Sequence, residues 1–355
     1  MIGAGLPRGR WQDWKDVKQL QATLEKHNVS YAFTGGALRD IFYNRTPYDI
    51  DLVVAISQTQ LVELLKKESY MAHALHGRTS AVRIRQTKRP FDIVSMAAYG
   101  MSDAPFADQV ENYLRQNGDL RLNSTALLAD GTWMNPCEGL EDLQAKRVRI
   151  LPRAAEIMKD NAARIIRFFR MHAIYARGPV DPYSVEVCQA HAQYLRTVET
   201  SQYSTNFFKW LAVPKLAESI ALIRKYGIFE HMFPIPLVEQ QGLRRLEKIE
   251  KLTGSLPDVE IRLPFLLRQA EISPYMALEI FLKSWNIDDS VGDKFKLLLD
   301  MQLRVPRLTL EAVSYIARTH GNLTARQLVM LNWANEPYPE KARVKYQPFL
   351  DALEE

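Results

Sequence analysis

The stretch from residue 29 to residue 54 constrains this chain most. Residues 29–33 are rich in β-branched and aromatic side chains, and they stop at Thr34-Gly35-Gly36. A helical pattern resumes at Ala37-Leu38-Arg39-Asp40. After the polar turn Asn44-Arg45-Thr46-Pro47, a second strand pattern runs through Tyr48-Asp49-Ile50-Asp51-Leu52-Val53-Val54. Side chains alternate along a strand, so Asp49 and Asp51 are expected on one side of it.

A bare Asp-x-Asp is usually two strand acids facing solvent, but its setting here changes that reading. Gly35 and Gly36 stand at a strand-to-helix turn. Backbone without side chains lets amide N–H groups approach phosphates, and a helix N-terminus favours negative charge. Two carboxylates placed beside such a turn suit a pair of Mg²⁺ ions. Asp92, in Phe91-Asp92-Ile93-Val94-Ser95, is the candidate third carboxylate, the alternative being an exposed acid on an edge strand. The seven histidines form no paired motif, and Cys137 and Cys188 are the only cysteines, so oxygen ligands are expected for any metal.

The rest of the pattern predicts an α+β protein. Trp14, Val17, Leu20 and Leu24 mark one face of a helix over 12–27, and another helix is expected near 57–68. Strand-like runs recur at 80–85 and 91–95, joined by the turn-like Gln86-Thr87-Lys88-Arg89-Pro90. From Pro152 onward helix follows helix, punctuated by prolines. The expected fold is thus a mixed sheet with helices followed by an all-helical remainder, in more than one domain for 355 residues. No run approaches the roughly 20 apolar residues of a membrane helix, and the opening residues lack an apolar signal core, so a cytoplasmic protein is expected. A formal charge of +5 mildly favours a polyanionic partner.

Gly35-Gly36-Ala37-Leu38-Arg39-Asp40 with Asp49-Ile50-Asp51 resembles the signature of the DNA polymerase β nucleotidyltransferase superfamily. Further segments resemble its branch of class II tRNA nucleotidyltransferases and bacterial poly(A) polymerases. They are Asn135-Pro136-Cys137-Glu138-Gly139-Leu140-Glu141-Asp142-Leu143, the strand-like 147–151 after it, and a helix from Asp160-Asn161 through Arg164, Arg167 and Arg170. The likeness covers roughly residues 28–178 and is loose beyond. It implies a polymerase-β-like catalytic head over 1–150, a helical neck that recognises the incoming base over 151–215, and a helical body and tail that bind RNA over 216–355. It also implies Asp49, Asp51 and Asp92 as ligands of two Mg²⁺ ions. Gly35, Gly36, Arg39, Arg121, Asn123, Asp160, Asn161, Arg164, Arg167 and Arg170 are implied nucleotide contacts. The implied substrates are ATP and CTP, and the implied partner is an RNA 3′ end, tRNA first.

The chain departs from that family in places. Asn161 stands where the family has an acid, and its amide can both accept and donate, so base selectivity stays open. Asp160 replaces a longer glutamate. The run 119–127 replaces an RRDFTIN-like segment, and two registers remain for Arg121 and Asn123. Residues 203–209 lack the charges expected at the start of the last neck helix. Basic clusters at Arg244, Arg245, Lys248 and Lys251, and at Lys341, Arg343 and Lys345, read as solvated helix faces or as RNA phosphate contacts. No histidine–aspartate phosphohydrolase motif is present, so no second, hydrolytic activity is expected. Two other readings stand beside RNA 3′-end addition: transfer of a nucleotide to a protein or small molecule, and a catalytically silent RNA-binding homologue.

Overall fold

The computed structural model describes residues 10–75, 81–85, 87–99, 103–233, 235–237, 241–285, 287, 289–304 and 308–354. Its contacts divide the chain into two compact units, Met1–Ile157 with Tyr175–Ser184, and Met158–Ile174 with Val185–Glu355.

The first unit is built on one seven-stranded sheet. Its strands are β1 (Tyr31–Thr34), β2 (Ile50–Val54), β3 (Ala72–Ala74), β4 (Ala81–Ile84), β5 (Phe91–Ser95), β6 (Ala126–Leu128) and β7 (Trp133–Met134), in the order β3-β4-β5-β2-β1-β6-β7. Only β2 and β5 run parallel. Helices α1 (Lys15–Lys26), α2 (Gly35–Phe42), α3 (Gln58–Lys67), α4 (Phe106–Asn117), α5 (Gly139–Ala145) and α6 (Pro152–Glu156) accompany it. Val17, Leu20 and Leu24 of α1 bury into the sheet's core with Ile50, Leu52 and Val54 of β2, as the helical spacing predicts. Helix α3 starts where Ser57 and Gln60 form a reciprocal capping box.

Four expectations need correction. Strand β2 begins at Ile50, so Asp49 lies in the bend before the strand rather than on it. Residues 147–151 form no strand; Ile150 makes a single bridge to Leu120. Strands β3, β6 and β7 carry no sequence signal, because two or three residues are too few to show alternation. Helix α2 starts at Gly35, two residues before the pattern suggests. Ser80, Gln86 and the opening residues 1–9 lie outside the described residues.

In the second unit every described element is a helix, apart from a bridge between Leu237 and Ala270. They are α7 (Ala163–Tyr175, whose last residue counts with the first unit), α8 (Pro182–His191, whose first three residues count with the first unit), α9 (Thr200–Leu211), α10 (Leu216–Lys225), α11 (Phe229–Met232), α12 (Gln241–Leu252), α13 (Val259–Leu267), α14 (Pro274–Ser284), α15 (Asp289–Arg304), α16 (Leu310–His320), α17 (Asn322–Trp333) and α18 (Pro339–Asp351).

An aromatic core of Tyr203, Phe207, Phe233 and Phe281 packs in this second unit, so two positions of 203–209 are buried rings. Arg262, fully buried, donates to both carboxylate oxygens of Glu250 and to the carbonyls of Leu211 and Val213. One guanidinium thereby ties α9, α12 and α13 together. Lys248 pairs with Glu340 and Lys345 with Glu336, so part of the basic pattern on α12 and α18 is internally neutralised. Arg244, Lys251, Lys341 and Arg343 remain exposed. Among the described residues, no helix is long and apolar enough to cross a membrane.

Candidate active site

The first unit's sheet sets one row of side chains across four neighbouring strands. Thr34 of β1 pairs with Asp51 of β2, Asp51 with Asp92 of β5, and Asp92 with Arg83 of β4. Register partners share a face, so Asp51 and Asp92 stand side by side on strands about 4.8 Å apart. Asp51 is the one residue of β2 that is not fully buried, because its neighbours Ile50, Leu52, Val53 and Val54 have both faces of the sheet covered.

The glycine turn acts on this row directly. Gly35 adopts a left-handed φ of +73°, and a Cβ on it would stand 2.5 Å from Oδ2 of Asp51. The next amide, Gly36 N–H, donates to that same Oδ2 at 3.2 Å. The amide expected to face a phosphate therefore holds a carboxylate, which the N-terminus of α2 also stabilises. Turn and acid form one device.

Arg83 was not foreseen. Its Nε donates to Asp92 Oδ1 at 2.5 Å and its Nη2 to Oδ2. That hydrogen bonding, with the nearby charges of Asp49 and Asp51, raises the Arg83 pKa above its ordinary value. Asp92 is thus ion-paired with Arg83 while standing beside Asp51 in register, and among the described residues no three acidic, histidine or cysteine side chains form a metal-holding group. Only the β4–β5 register reveals Arg83; its sequence signal is one basic residue within a strand pattern. Asp49 opens onto a cavity of about 750 Å³ walled by Arg83, Arg85, Lys88 and Arg89. Arg85 and Lys88 are exposed, whereas Arg89 stacks on Trp14 at 3.5 Å.

Arg39 and Asn123, both expected to touch nucleotide, are buried against each other. Arg39 donates to Asn123 Oδ1 at 2.7 Å and to Asp40 Oδ1 at 3.0 Å, and lies 4.7 Å over the ring of Tyr175. Tyr175 also donates to Asp40 and stacks on Tyr43. Burial is the first cause that pushes the Tyr43 phenol up to about 12. These groups tie α2 to the Asn123 and Tyr175 side chains.

Arg121 is half-buried, donates to Glu138 at 2.5 Å and lines a cavity of about 500 Å³ with Arg115 and Arg153. The Asn135–Asp142 segment holds it there. Asn135 Oδ1 accepts from Leu140 N, a Cβ on Gly139 would come within 2.3 Å of the Arg121 carbonyl, and buried Asp142 anchors Arg149.

In the second unit, Asn161, Arg164, Arg167 and Arg170 are all half-buried, separated by the buried pairs Ala162-Ala163, Ile165-Ile166 and Phe168-Phe169. They form one stripe, as a three-residue spacing dictates. Asp160 is exposed on the turn before it. The Asn161 Oδ1 is buried without a hydrogen-bond partner.

Fold and row together give a mixed sheet in which a glycine turn presents an acid of the adjoining strand. Residues 31–149 match the poly A polymerase head domain. The match covers about a third of the chain and lies within its first unit. The human mitochondrial CCA tRNA nucleotidyltransferase 1 is 24% identical over 242 residues, covering 66% of this chain and 55% of that protein. The chain therefore spans about half the length of this curated relative. A tRNA nucleotidyltransferase solved with a primer tRNA and an incoming ATP analogue superposes with a TM-score of 0.69 at 15% identity, over 94% of this chain and 98% of that one. The Bacillus stearothermophilus CCA-adding enzyme solved with CTP also gives a TM-score of 0.69, at 18% identity over 94% and 81% of the two chains.

Proposed function

We propose that this protein adds nucleotides from ATP and CTP to an RNA 3′ end, with tRNA as the first candidate acceptor. The observation that carries the reading is Asp51, held by the Gly36 amide beside Asp92 within a poly A polymerase head. The relatives solved with primer tRNA, an ATP analogue and CTP support the choice of substrates.

The reaction is in-line attack of the terminal RNA hydroxyl on the α-phosphate of a nucleoside triphosphate, with pyrophosphate leaving. Asp49 and Asp51 would hold Mg²⁺, which when bound neutralises the triphosphate and activates the hydroxyl. Both offer the hard oxygen ligands that Mg²⁺ prefers. Asp92, the register neighbour of Asp51, is the third carboxylate of this proposal and pairs with Arg83. Arg85 and Lys88, exposed on the cavity that Asp49 faces, supply positive charge for the triphosphate. In the helical neck, the Asn161 Oδ1 is available to accept from the exocyclic amino group of C or A. Arg164, Arg167 and Arg170 form the adjoining basic stripe. The division into head, neck and body near residues 150 and 215 is part of this proposal.

The test incubates the full chain with Mg²⁺, each labelled NTP alone and in mixture, and tRNA lacking CCA or an unstructured RNA. Extension by wild type and loss in Asp51→Asn supports the reading; equal extension by the variant refutes it. EDTA is expected to abolish extension. Labelling of the protein or of a small molecule with neither RNA extended points to the other acceptor class.

A further inference from the structure

The second unit contains a cavity of about 800 Å³ that the proposed reaction does not use, lined by Arg196, Arg224, Phe229, Glu230, His231 and Trp285 among others. Three of its lining side chains carry a buried nitrogen with no hydrogen-bond partner: Arg224 Nε, His231 Nδ1 and Trp285 Nε1. Native interiors leave few buried polar groups unmet; Arg224 Nε and Trp285 Nε1 can only donate, and His231 Nδ1 donates when it carries the proton, so the three together call for an acceptor there.

Two of these groups are held in place by their surroundings. Arg224 donates from Nη2 to the Leu237 carbonyl at 2.8 Å, and its guanidinium lies 4.8 Å over the Phe229 ring. The Trp285 indole stacks on Tyr203 with ring centroids 3.3 Å apart, and the Tyr203 hydroxyl is itself bound to the Met232 carbonyl. One face each of Phe229 and Trp285 is therefore covered, and the cavity's specific offering is N–H groups rather than open ring faces. Arg196 and Arg224 outweigh the one lining acid, Glu230, so the occupant is an anion.

The donor set also selects the kind of anion. A planar carboxylate is best read by the paired Nε and Nη2 of an arginine. In Arg224 one Nη2 N–H already donates to Leu237, so that pair is partly occupied. Single donors from α10, α11 and the end of α14 instead suit an anion with three or more oxygens. We propose that this cavity binds a phosphate group, from free phosphate or from an RNA backbone.

The test follows the Trp285 indole N–H resonance in the full-length protein labelled with ¹⁵N-tryptophan, assigned through Trp285→Phe. Inorganic phosphate, acetate and a short unstructured RNA are titrated separately. A saturable shift with inorganic phosphate supports the site and names the free anion as its source; a shift with RNA alone supports it and names the backbone. Arg224→Met is expected to weaken binding about tenfold or more, and His231→Leu to weaken it as well should Arg224→Met fail to fold. Asp51→Asn is expected to leave binding unchanged, which separates this cavity from the head. No shift with phosphate or RNA, or an equal shift with acetate, overturns the proposal.

Discussion

Replacing Gly35 with alanine tests the coupling between glycine turn and acid most sharply. The left-handed φ of +73° makes any side chain there unfavourable, by about 1–2 kcal/mol. The larger effect is local. A Cβ would stand 2.5 Å from Oδ2, 3.0 Å from Cγ and 3.1 Å from Cβ of Asp51. Ordinary contacts begin near about 3.5 Å, so the Asp51 side chain has to retreat by roughly 1 Å. A misplacement of that size costs on the order of 10²-fold in rate. Gly35→Ala is therefore expected to unfold at slightly lower denaturant while losing about 10²-fold in nucleotide incorporation under saturating Mg²⁺ and NTP. Gly36→Ala is the control. Gly36 has no left-handed φ, and the nearest atoms its Cβ would meet are the end of the Arg39 side chain, at 3.2 Å. It keeps the amide that binds Asp51, so a much smaller loss of rate is expected. Equal rates for wild type and Gly35→Ala, or equal losses for both variants, would refute the argument.

Three further expectations concern stability and selectivity. Arg262→Met leaves Glu250 buried without its cation and should lower unfolding free energy by about 3–5 kcal/mol in chemical denaturation, much of which the double change with Glu250→Met should restore. Burial, opposed by the Ala217 amide and Arg262, raises the Glu247 carboxyl above its ordinary pKa, so the folded state binds the proton more tightly than the unfolded chain does. Its contribution is full below the ordinary carboxylate value and is lost as pH rises through the folded one; Glu247→Gln, measured by melting across that range, should flatten the decline. Asn161→Asp leaves an acceptor-only side chain and should narrow incorporation toward C and A in a four-nucleotide competition; an unchanged base spectrum would remove Asn161 from base recognition.

Sequence alone determined the parts of this protein that depend on short-range pattern. The α1 face, the β1–turn–α2–β2 unit and the all-helical remainder are written in spacings of two and three to four residues, which local geometry translates directly. The glycine pair and the acids were legible for the same reason, as was the stripe of Arg164, Arg167 and Arg170. What only the tertiary structure decided is where charges meet. Asp92 was legible as an acid, but its pairing with Arg83 depends on the register between β4 and β5. Arg39 and Asn123 were legible as polar residues near a site, yet 84 positions separate them and folding buries them on each other. The three unmet nitrogens around the second unit's cavity come from α10, α11 and the end of α14, which no local pattern connects. Periodicity reports which face a residue takes, whereas the partner on that face is set by long-range packing.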